Sequence, residues 1–207
     1  ISRPRRITRR AGWLRLETRG KAAHGAHPDL GVNAVHVMAR IVPLLETKYS
    51  NALQRHAHPL LGCGTINVGV IAGGTQPTIV PDSCAIQIDR RTLPGENETT
   101  VIAEIRSLLR ESGLRARLTS LKEAACPPLE TNPGLPFVRR FLDAAGQARP
   151  AGVSFFCDAA VLAAAGIPSV VFGPGNIAQA HTENEWISLR SLERATDLLT
   201  RFLSSLP

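Results

Sequence analysis

The order of alternating and helical segments between Gly12 and Lys122 limits the folds open to this 207-residue chain. Short alternating or apolar stretches bounded by Gly, Pro or Asn predict strands, and apolar residues that recur every three to four positions predict helices. The predicted strands are 12–20, 65–72, 83–90 and 114–121, and the predicted helices are 33–46, with Asn33 as N-cap, and 98–112. The order strand–helix–strand–strand–helix–strand is typical of the ferredoxin-like β-α-β-β-α-β fold.

The rest of the chain has a different pattern. Prolines 127, 128 and 133 predict a linker. After it we predict a helix at 135–145, a strand at 151–157, a helix opened by Asp158, a buried SVVF strand at 169–172 and a closing helix at 188–206. This order favours an α/β unit with parallel pairing. We therefore expect a basic N-terminal segment at 1–11, a ferredoxin-like domain at 12–123 and an α/β domain at 124–207.

Charge and cysteine usage exclude some classes of function. The formal net charge is +7, and five arginines fall within the first ten residues. No aromatic residues are interleaved with them to stack bases, so a solvated end is favoured over a nucleic-acid interface. No apolar run approaches the roughly 20 residues of a membrane span. The four cysteines form no CxxC pair, which favours buried thiols in a reducing cytoplasm over disulfides or a zinc knot.

One loop near the C-terminus carries candidate chemistry. The predicted SVVF strand ends at Gly173-Pro174-Gly175, and His181 follows with acidic residues around it. Ligands of open α/β sheets lie beyond the carboxyl ends of the strands, so this histidine is placed to hold a metal. A nearby carboxylate could fix its tautomer. A surface histidine on a polar loop explains the same residues equally well.

Four blocks, in order, resemble the di-zinc amidohydrolases and exopeptidases. That family includes acetylornithine deacetylase, succinyl-diaminopimelate desuccinylase, aminoacylase and glutamate carboxypeptidase. The blocks are GKAAHGAHP with GVNA (20–34), INVGVIAGGT with IVPD (66–82), IDRR with PGE (88–96), and FGPG with HTENE (172–185). The resemblance covers nearly all of the chain from Gly12. It implies a lid, or dimerisation, domain followed by the C-terminal part of the family's α/β catalytic domain.

The resemblance also implies roles for individual residues. His24 matches the lid histidine that reaches across the family's dimer and donates to the scissile carbonyl. Arg91 matches the arginine that binds the substrate carboxylate, and its neighbour Arg90 is expected on the opposite face of the strand. Gly173 and Gly175 match the loop that lines the substrate pocket, and His181 matches a metal ligand. Thr78 stands where many relatives have asparagine, which leaves substrate contact at that position open.

The activity implied is hydrolysis of the amide of an N-acyl amino acid or small peptide-like substrate, closest to acetylornithine deacetylase. The implied cofactor is zinc, two ions per site in the family, with cobalt or manganese as alternatives, and the implied assembly is a homodimer through the lid domain. His181 is the one family metal ligand that the sequence provides, so the chain is expected to be a fragment that is inactive by itself. Two alternatives stay open: a non-catalytic dimerisation or binding module, and, less favoured, a nucleic-acid-associated protein.

Overall fold

The computed structural model describes residues 5–8, 10–121, 128–153 and 155–206. The chain divides into two compact units, which we call the ferredoxin-like unit (Arg9–Cys126) and the α/β unit (Ile1–Thr8 with Pro127–Pro207). The predicted boundary between Glu123 and Ala124 lies outside the described residues. Among the described helices, none is long and apolar enough to cross a membrane.

The elements are numbered in chain order. The strands are β1 (Arg5–Thr8), β2 (Arg10–Arg19), β3 (Ala57–His58), β4 (Gly62–Cys63), β5 (Thr65–Gly73), β6 (Ser83–Thr92), β7 (Arg117–Ser120) and β8 (Ala151–Val153). The helices are α1 (Ala34–Leu44), α2 (Ser50–Leu53), α3 (Glu98–Glu111), α4 (Pro136–Ala144), α5 (Ala159–Ala164) and α6 (Leu189–Ser204). A π turn at Leu45–Tyr49 joins α1 to α2, and 3-10 turns lie at Pro28–Leu30 and Ile177–Gln179.

The ferredoxin-like unit is built on one antiparallel sheet in the order β5-β6-β2-β7. In chain order, β2, β5, β6 and β7 are the first, second, third and fourth strands of a β-α-β-β-α-β unit. The two central strands, β2 and β6, pair along ten residues each. The predicted ferredoxin-like architecture is therefore confirmed, and its predicted elements lie within a few residues of the observed ones.

The helices cover one face of this sheet, because alternate strand residues on that face are apolar. Leu16 of β2 and Ile86 of β6 lie in one buried cluster with Met38 of α1 and Ile105 of α3. Burial of each such side chain contributes about 1.5–3 kcal/mol. The predicted N-cap is confirmed, since the Asn33 side chain accepts a hydrogen bond from the His36 N–H at 3.1 Å. No helix from the described part of this unit lies on the opposite face of the sheet, which is called the open face below.

A charged side chain is buried within the helix-covered layer. Arg90 is fully buried, and its Nη2 donates to both carboxylate oxygens of Glu96 at 3.1 and 3.2 Å. Its Nε donates to the Tyr49 hydroxyl at 3.3 Å, and its Nη1 donates to the carbonyl of Arg91. Tyr49 in turn donates to Glu104 at 2.7 Å. The expectation that Arg90 and Arg91 face opposite sides of β6 is confirmed by this burial.

The α/β unit differs from three expectations, the first being the predicted strand at 151–157, of which β8 covers only Ala151–Val153. The predicted SVVF strand is wrong, because no strand of the described residues includes 169–172 and only Val171 takes part in an isolated bridge. An apolar run becomes a strand only where a neighbouring backbone supplies a hydrogen-bonded ladder. The run instead contributes Val170 and Phe172 to the apolar cluster around Phe141, Leu198 and Phe202 of α4 and α6.

The N-terminal residues also differ from their prediction as a solvated end. β1 pairs in parallel with β8, and Ile7 and Thr8 are fully buried. The Thr8 N–H donates to the Leu129 carbonyl at 3.0 Å, and the Leu129 N–H donates to the Thr8 hydroxyl at 3.0 Å. Leu129, inside the predicted linker, is fully buried as well. Two β-branched residues therefore determine the local structure despite the surrounding arginines, because their burial is favourable in a sheet.

Tyr49 gives the first prediction. Burial raises the pKa of its hydroxyl, and the hydrogen bond to Glu104 adds to this while Arg90 opposes it. The unfolded chain releases the tyrosine proton near pH 10, where the folded chain still holds it, so stability is complete below pH 10 and falls as the pH rises above it. Tyr49 is the only tyrosine. Tyrosinate absorbance should therefore appear together with the loss of circular dichroism.

The matched variant is Tyr49→Phe. It should weaken the loss of stability above pH 10, although it lowers stability at neutral pH by leaving Arg90 and Glu104 without the hydroxyl. Tyrosinate absorbance that rises in the fully folded chain near pH 10 would show that the hydroxyl titrates normally.

Candidate active site

The loop that carries His24 connects β2 to α1, and its backbone is tied to the segment before β6. The Gly25 N–H donates to the Thr78 carbonyl at 2.7 Å, and the Val80 N–H donates to the Ala23 carbonyl at 2.9 Å. Between them, His24 forms an isolated antiparallel bridge with Ile79. The loop is thus held along its length rather than only at its ends.

The two ends of the loop are joined to each other. Lys21 and Val32 exchange backbone hydrogen bonds of 2.8 and 2.9 Å, and the Gly20 N–H donates to the Asp82 carbonyl at 2.7 Å. Glycine is required at position 20, because a Cβ there would lie 1.9 Å from the Val32 carbonyl oxygen. The approach of these two backbones sets where the histidine loop leaves the sheet.

The His24 imidazole has a defined hydrogen-bonding state. Its Nδ1 accepts a hydrogen bond from the Ala26 N–H at 3.1 Å. In the neutral imidazole the proton must then reside on Nε2, which makes Nε2 a hydrogen-bond donor. The side chain is exposed. His24 therefore has the tautomer and the access that donation to a carbonyl oxygen requires. His27 lies on the same loop, with its ring centroid 6.4 Å from that of His24.

Arg91 lies on the open face near the end of β6. Its Nε and Nη2 donate to the same oxygen, Oδ2 of Asp89, at 3.0 and 2.8 Å. The two side chains are 30% and 31% exposed. The other oxygen of Asp89, Oδ1, is buried and has no hydrogen-bond partner among the described residues. The Nη1 group of Arg91 is left to donate hydrogen bonds to another acceptor.

The glycine loop of the α/β unit borders a cavity of about 230 Å³. Gly173 and Gly175 line it with Phe155, Phe172 and Glu185. Gly175 has φ 94°, a conformation that favours glycine, whereas a Cβ at Gly173 would meet nothing within 4 Å. The predicted turn is therefore present, and it forms part of the wall of a small, mostly apolar pocket.

His181 follows this loop in an uncommon backbone conformation. Its φ is 62°, the single positive value among the described non-glycine residues. Glu185 Oε2 accepts a hydrogen bond from the His181 backbone N–H at 3.1 Å. The expectation that a nearby carboxylate fixes the tautomer of the ring is not met by this contact, because Glu185 holds the backbone and not the imidazole.

The predicted site residues are distributed over both units. His24 and Arg91 belong to the ferredoxin-like unit, whereas Gly173, Gly175 and His181 belong to the α/β unit. Within the ferredoxin-like sheet, the histidine loop starts at the end where Arg19 pairs with Ser83, and Arg91 lies eight residues further along β6, opposite Ala11. At about 3.3 Å per residue, Arg91 lies roughly 26 Å along β6 from Ser83, beside which the histidine loop begins. Among the described residues, no hydrogen bond, ion pair or common cavity joins His24 to Arg91 of one chain.

The described side chains do not form a zinc site. Among the residues that the structure describes, no three His, Cys, Asp or Glu side chains are grouped so that they could hold a metal ion. Protein zinc sites use three or four such ligands. His181 alone does not fit a zinc site.

Two contacts at the site were not predicted from the sequence. The Ala26 N–H that fixes the His24 tautomer is a backbone group, so no residue type in the sequence indicates this contact. Asp89, in contrast, could have been found, because residues two apart on a strand share a face and IDRR places Asp89 beside Arg91.

Comparison with known proteins identifies the family. The profile described as the peptidase dimerisation domain of the M20 group matches residues 7–117, more than half of the chain. The chain belongs to this family. The resemblance seen in its motifs is thereby confirmed, and the matched region includes His24, Asp89 and Arg91.

Curated relatives extend the match beyond this domain. The acetylornithine deacetylase of Myxococcus xanthus is 31% identical over 195 residues, which are 90% of this chain and 50% of that protein. The acetylornithine deacetylase of Vibrio atlanticus is 28% identical over 188 residues, 88% of this chain and 49% of that protein. The chain thus spans about half the length of the curated relatives it matches.

Solved structures share the fold. An aminopeptidase of Bacillus cereus aligns with a TM-score of 0.69 at 25% identity, covering 96% of this chain and 52% of that one. An M20 family metallo-carboxypeptidase of Sulfolobus solfataricus aligns with a TM-score of 0.70 at 17% identity, covering 97% and 60%. Both alignments include both units of the present chain.

The close contact at Gly20 gives the second prediction. Gly20→Ala should lower the free energy of unfolding by about 1–3 kcal/mol, because the new methyl group overlaps a backbone oxygen that cannot rotate away. Gly12→Ala in β2, the strand that Gly20 directly follows, is the matched control, since its Cβ would lie 3.4 Å from the nearest atom, Arg90 O. Urea unfolding followed by circular dichroism measures both. Equal effects of the two substitutions would contradict the role assigned to Gly20.

Proposed function

We propose that this chain is the dimerisation domain and the C-terminal catalytic part of a metal-dependent amidohydrolase that cleaves the amide of an N-acyl amino acid. The observation that carries the proposal is the 31% identity to an acetylornithine deacetylase across 90% of the chain, which includes both units. An N-acetylated amino acid such as N-acetylornithine is the proposed substrate.

His24 is the proposed oxyanion donor. During attack on an amide, negative charge develops on the carbonyl oxygen, and a positioned N–H donor stabilises that charge. Support comes from the Ala26 N–H, which occupies Nδ1 and leaves Nε2–H exposed. A hydrogen bond that is fixed before substrate binds requires no reorganisation during the reaction.

Arg91 is the proposed carboxylate-binding residue. A guanidinium suits a carboxylate because its planar N–H groups match two oxygens. Gly173 and Gly175 are proposed to form the wall of the acyl-amino-acid pocket, where a Cβ at either position would narrow the space or strain the turn. The metal is proposed to be zinc, to which the described residues contribute one imidazole, that of His181.

Two observations support a homodimer: the match to a dimerisation domain, and a histidine loop that leaves the sheet beside Ser83, eight residues along β6 from Arg91. The free edge of β5 is a surface on which pairing could occur, because β6 is its single neighbour in the described sheet and Ile71 is 58% exposed on it.

The unpaired state of Cys63, Cys84 and Cys157 supports a cytoplasmic location.

The third prediction concerns the dimer. Light scattering should give twice the chain mass, and Ile71→Lys should give the monomer mass, because a charge on an edge strand opposes pairing. Leu189→Lys places the same charge on a residue that is 76% exposed in the α/β unit, and it should remain dimeric. A monomeric parent chain would refute the homodimer.

The fourth prediction concerns His24. In the full-length gene product, His24→Ala should lower kcat for N-acetylornithine by about 100-fold or more with little change in KM, since it removes a contact made in the transition state. His27→Ala, on the same loop, should leave both constants near those of the parent. Metal content is measured on the same samples.

The outcomes separate the possibilities. Hydrolysis that depends on His24 and on bound zinc supports the proposed enzyme. Turnover that is unchanged in His24→Ala refutes the donor role. A protein that dimerises but binds no metal and hydrolyses no acyl amino acid would be a non-catalytic dimerisation module instead.

A further inference from the structure

The carboxylate of Asp89 is placed on the open face in a way that stability alone does not explain. Its Oδ2 accepts both hydrogen bonds from Arg91, while its Oδ1 is buried without a partner among the described residues. A buried oxygen without a donor is unfavourable. An apolar residue would avoid that penalty, so the contact with Arg91 is the feature that the carboxylate provides.

The contact restricts the guanidinium to one usable edge. Arginine has five N–H groups in a rigid plane, arranged along a side edge (Nε and Nη2) and an end edge (Nη1 and Nη2). Asp89 occupies the side edge through charge-assisted bonds of 3.0 and 2.8 Å. No other partner of the Arg91 guanidinium is found among the described residues, so the end edge remains for an incoming anion.

The backbone under Arg91 is fixed as well. Arg90 donates to the Arg91 carbonyl from the buried side of the strand, and the Arg90 guanidinium is itself held by Glu96. Both the start of the Arg91 side chain and its far end are thus held, the first by Arg90 and the second by Asp89. The remaining freedom of the guanidinium is small before any ligand arrives.

We propose that Asp89 is a positioning residue that makes Arg91 bind the substrate carboxylate through its Nη1–Nη2 edge and in one orientation. The inference rests on the proposed function only for the identity of the anion. Without Asp89, the side edge and the end edge compete for the carboxylate. A substrate held by the wrong edge presents its amide in a different direction, which lowers the fraction bound productively.

The test follows the Nε–H and Nη–H signals of Arg91 by nitrogen-15 NMR in the chain as given, with sodium acetate as the probe. Arg91→Lys identifies the signals by their loss. In the parent chain, acetate should shift the Nη signals and leave Nε–H unmoved. In Asp89→Ala, acetate should shift Nε–H as well, and Asp89→Asn should lie between, because a neutral amide oxygen is a weaker acceptor.

Glu17→Gln is the matched control. It removes one negative charge from the same open face, where Glu17 pairs with Arg19 at 2.6 Å and not with Arg91. Acetate should leave Nε–H unmoved in this variant, as in the parent. Backbone spectra of each variant check that the fold is kept, and Asp89→Asn provides the nearly isosteric substitution if the alanine variant does not fold.

Kinetics give a second readout in the full-length gene product. Asp89→Asn should lower kcat for N-acetylornithine by about half or more without raising KM, because part of the bound substrate is held unproductively. A merely structural role would instead lower the amount of folded protein and leave both constants of the folded fraction unchanged.

The results distinguish this inference from the proposed function. An Nε–H signal that already shifts with acetate in the parent, or that stays unmoved in both Asp89 variants, overturns the positioning role. Acetate that moves no Arg91 signal in any sample rejects Arg91 as an anion site and the inference with it. The predicted NMR shifts in a protein that hydrolyses nothing would support the inference while refuting the hydrolase.

Discussion

The buried guanidinium of Arg90 joins three segments of the ferredoxin-like unit through its hydrogen bonds. Arg90 lies on β6, its hydrogen-bond partner Tyr49 lies in the π turn, and Glu96 lies in the turn before α3. Removing a charge from water costs several kcal/mol unless good hydrogen bonds replace the water. The side chain therefore requires the π turn, β6 and the turn before α3 to be in place together.

This burial also fixes which residues β6 presents on its open face. Strand side chains alternate, so a shift of one residue would bury Asp89 or Arg91 and expose Arg90. Asp89 and Arg91 have no partners in the helix layer comparable to Tyr49 and Glu96. The register that satisfies the buried arginine is thus the register that exposes the candidate anion-binding arginine, and the two neighbouring arginines have different roles because of their partners.

The ferredoxin-like unit could be predicted from the sequence because its signals are local and agree with one another. Alternation defines β2 and β6, apolar spacing defines α1 and α3, and Asn33 marks a helix start. The α/β unit was predicted less well, since pairing there depends on contacts distant in sequence. Thr8 bonds to Leu129, 121 residues away, and nothing local in a run of arginines indicates such a partner. The prediction of a strand at SVVF is wrong for the same reason, because an apolar composition does not specify a neighbouring strand.

The candidate site could likewise be predicted only in part from the sequence. The positions of His24 and Arg91 came from resemblance to a family, whereas the contacts that define their chemistry came from geometry. The state of the His24 ring depends on a backbone N–H two residues away, and the usable edge of Arg91 depends on Asp89. Sheet geometry then limits what these residues can do jointly. The histidine loop leaves the sheet beside Ser83, whereas Arg91 lies eight residues further along β6, about 26 Å away along the strand. In the proposed homodimer, His24 of one copy and Arg91 of the other would act on one substrate, so the roles proposed for these two residues depend on the pairing of chains.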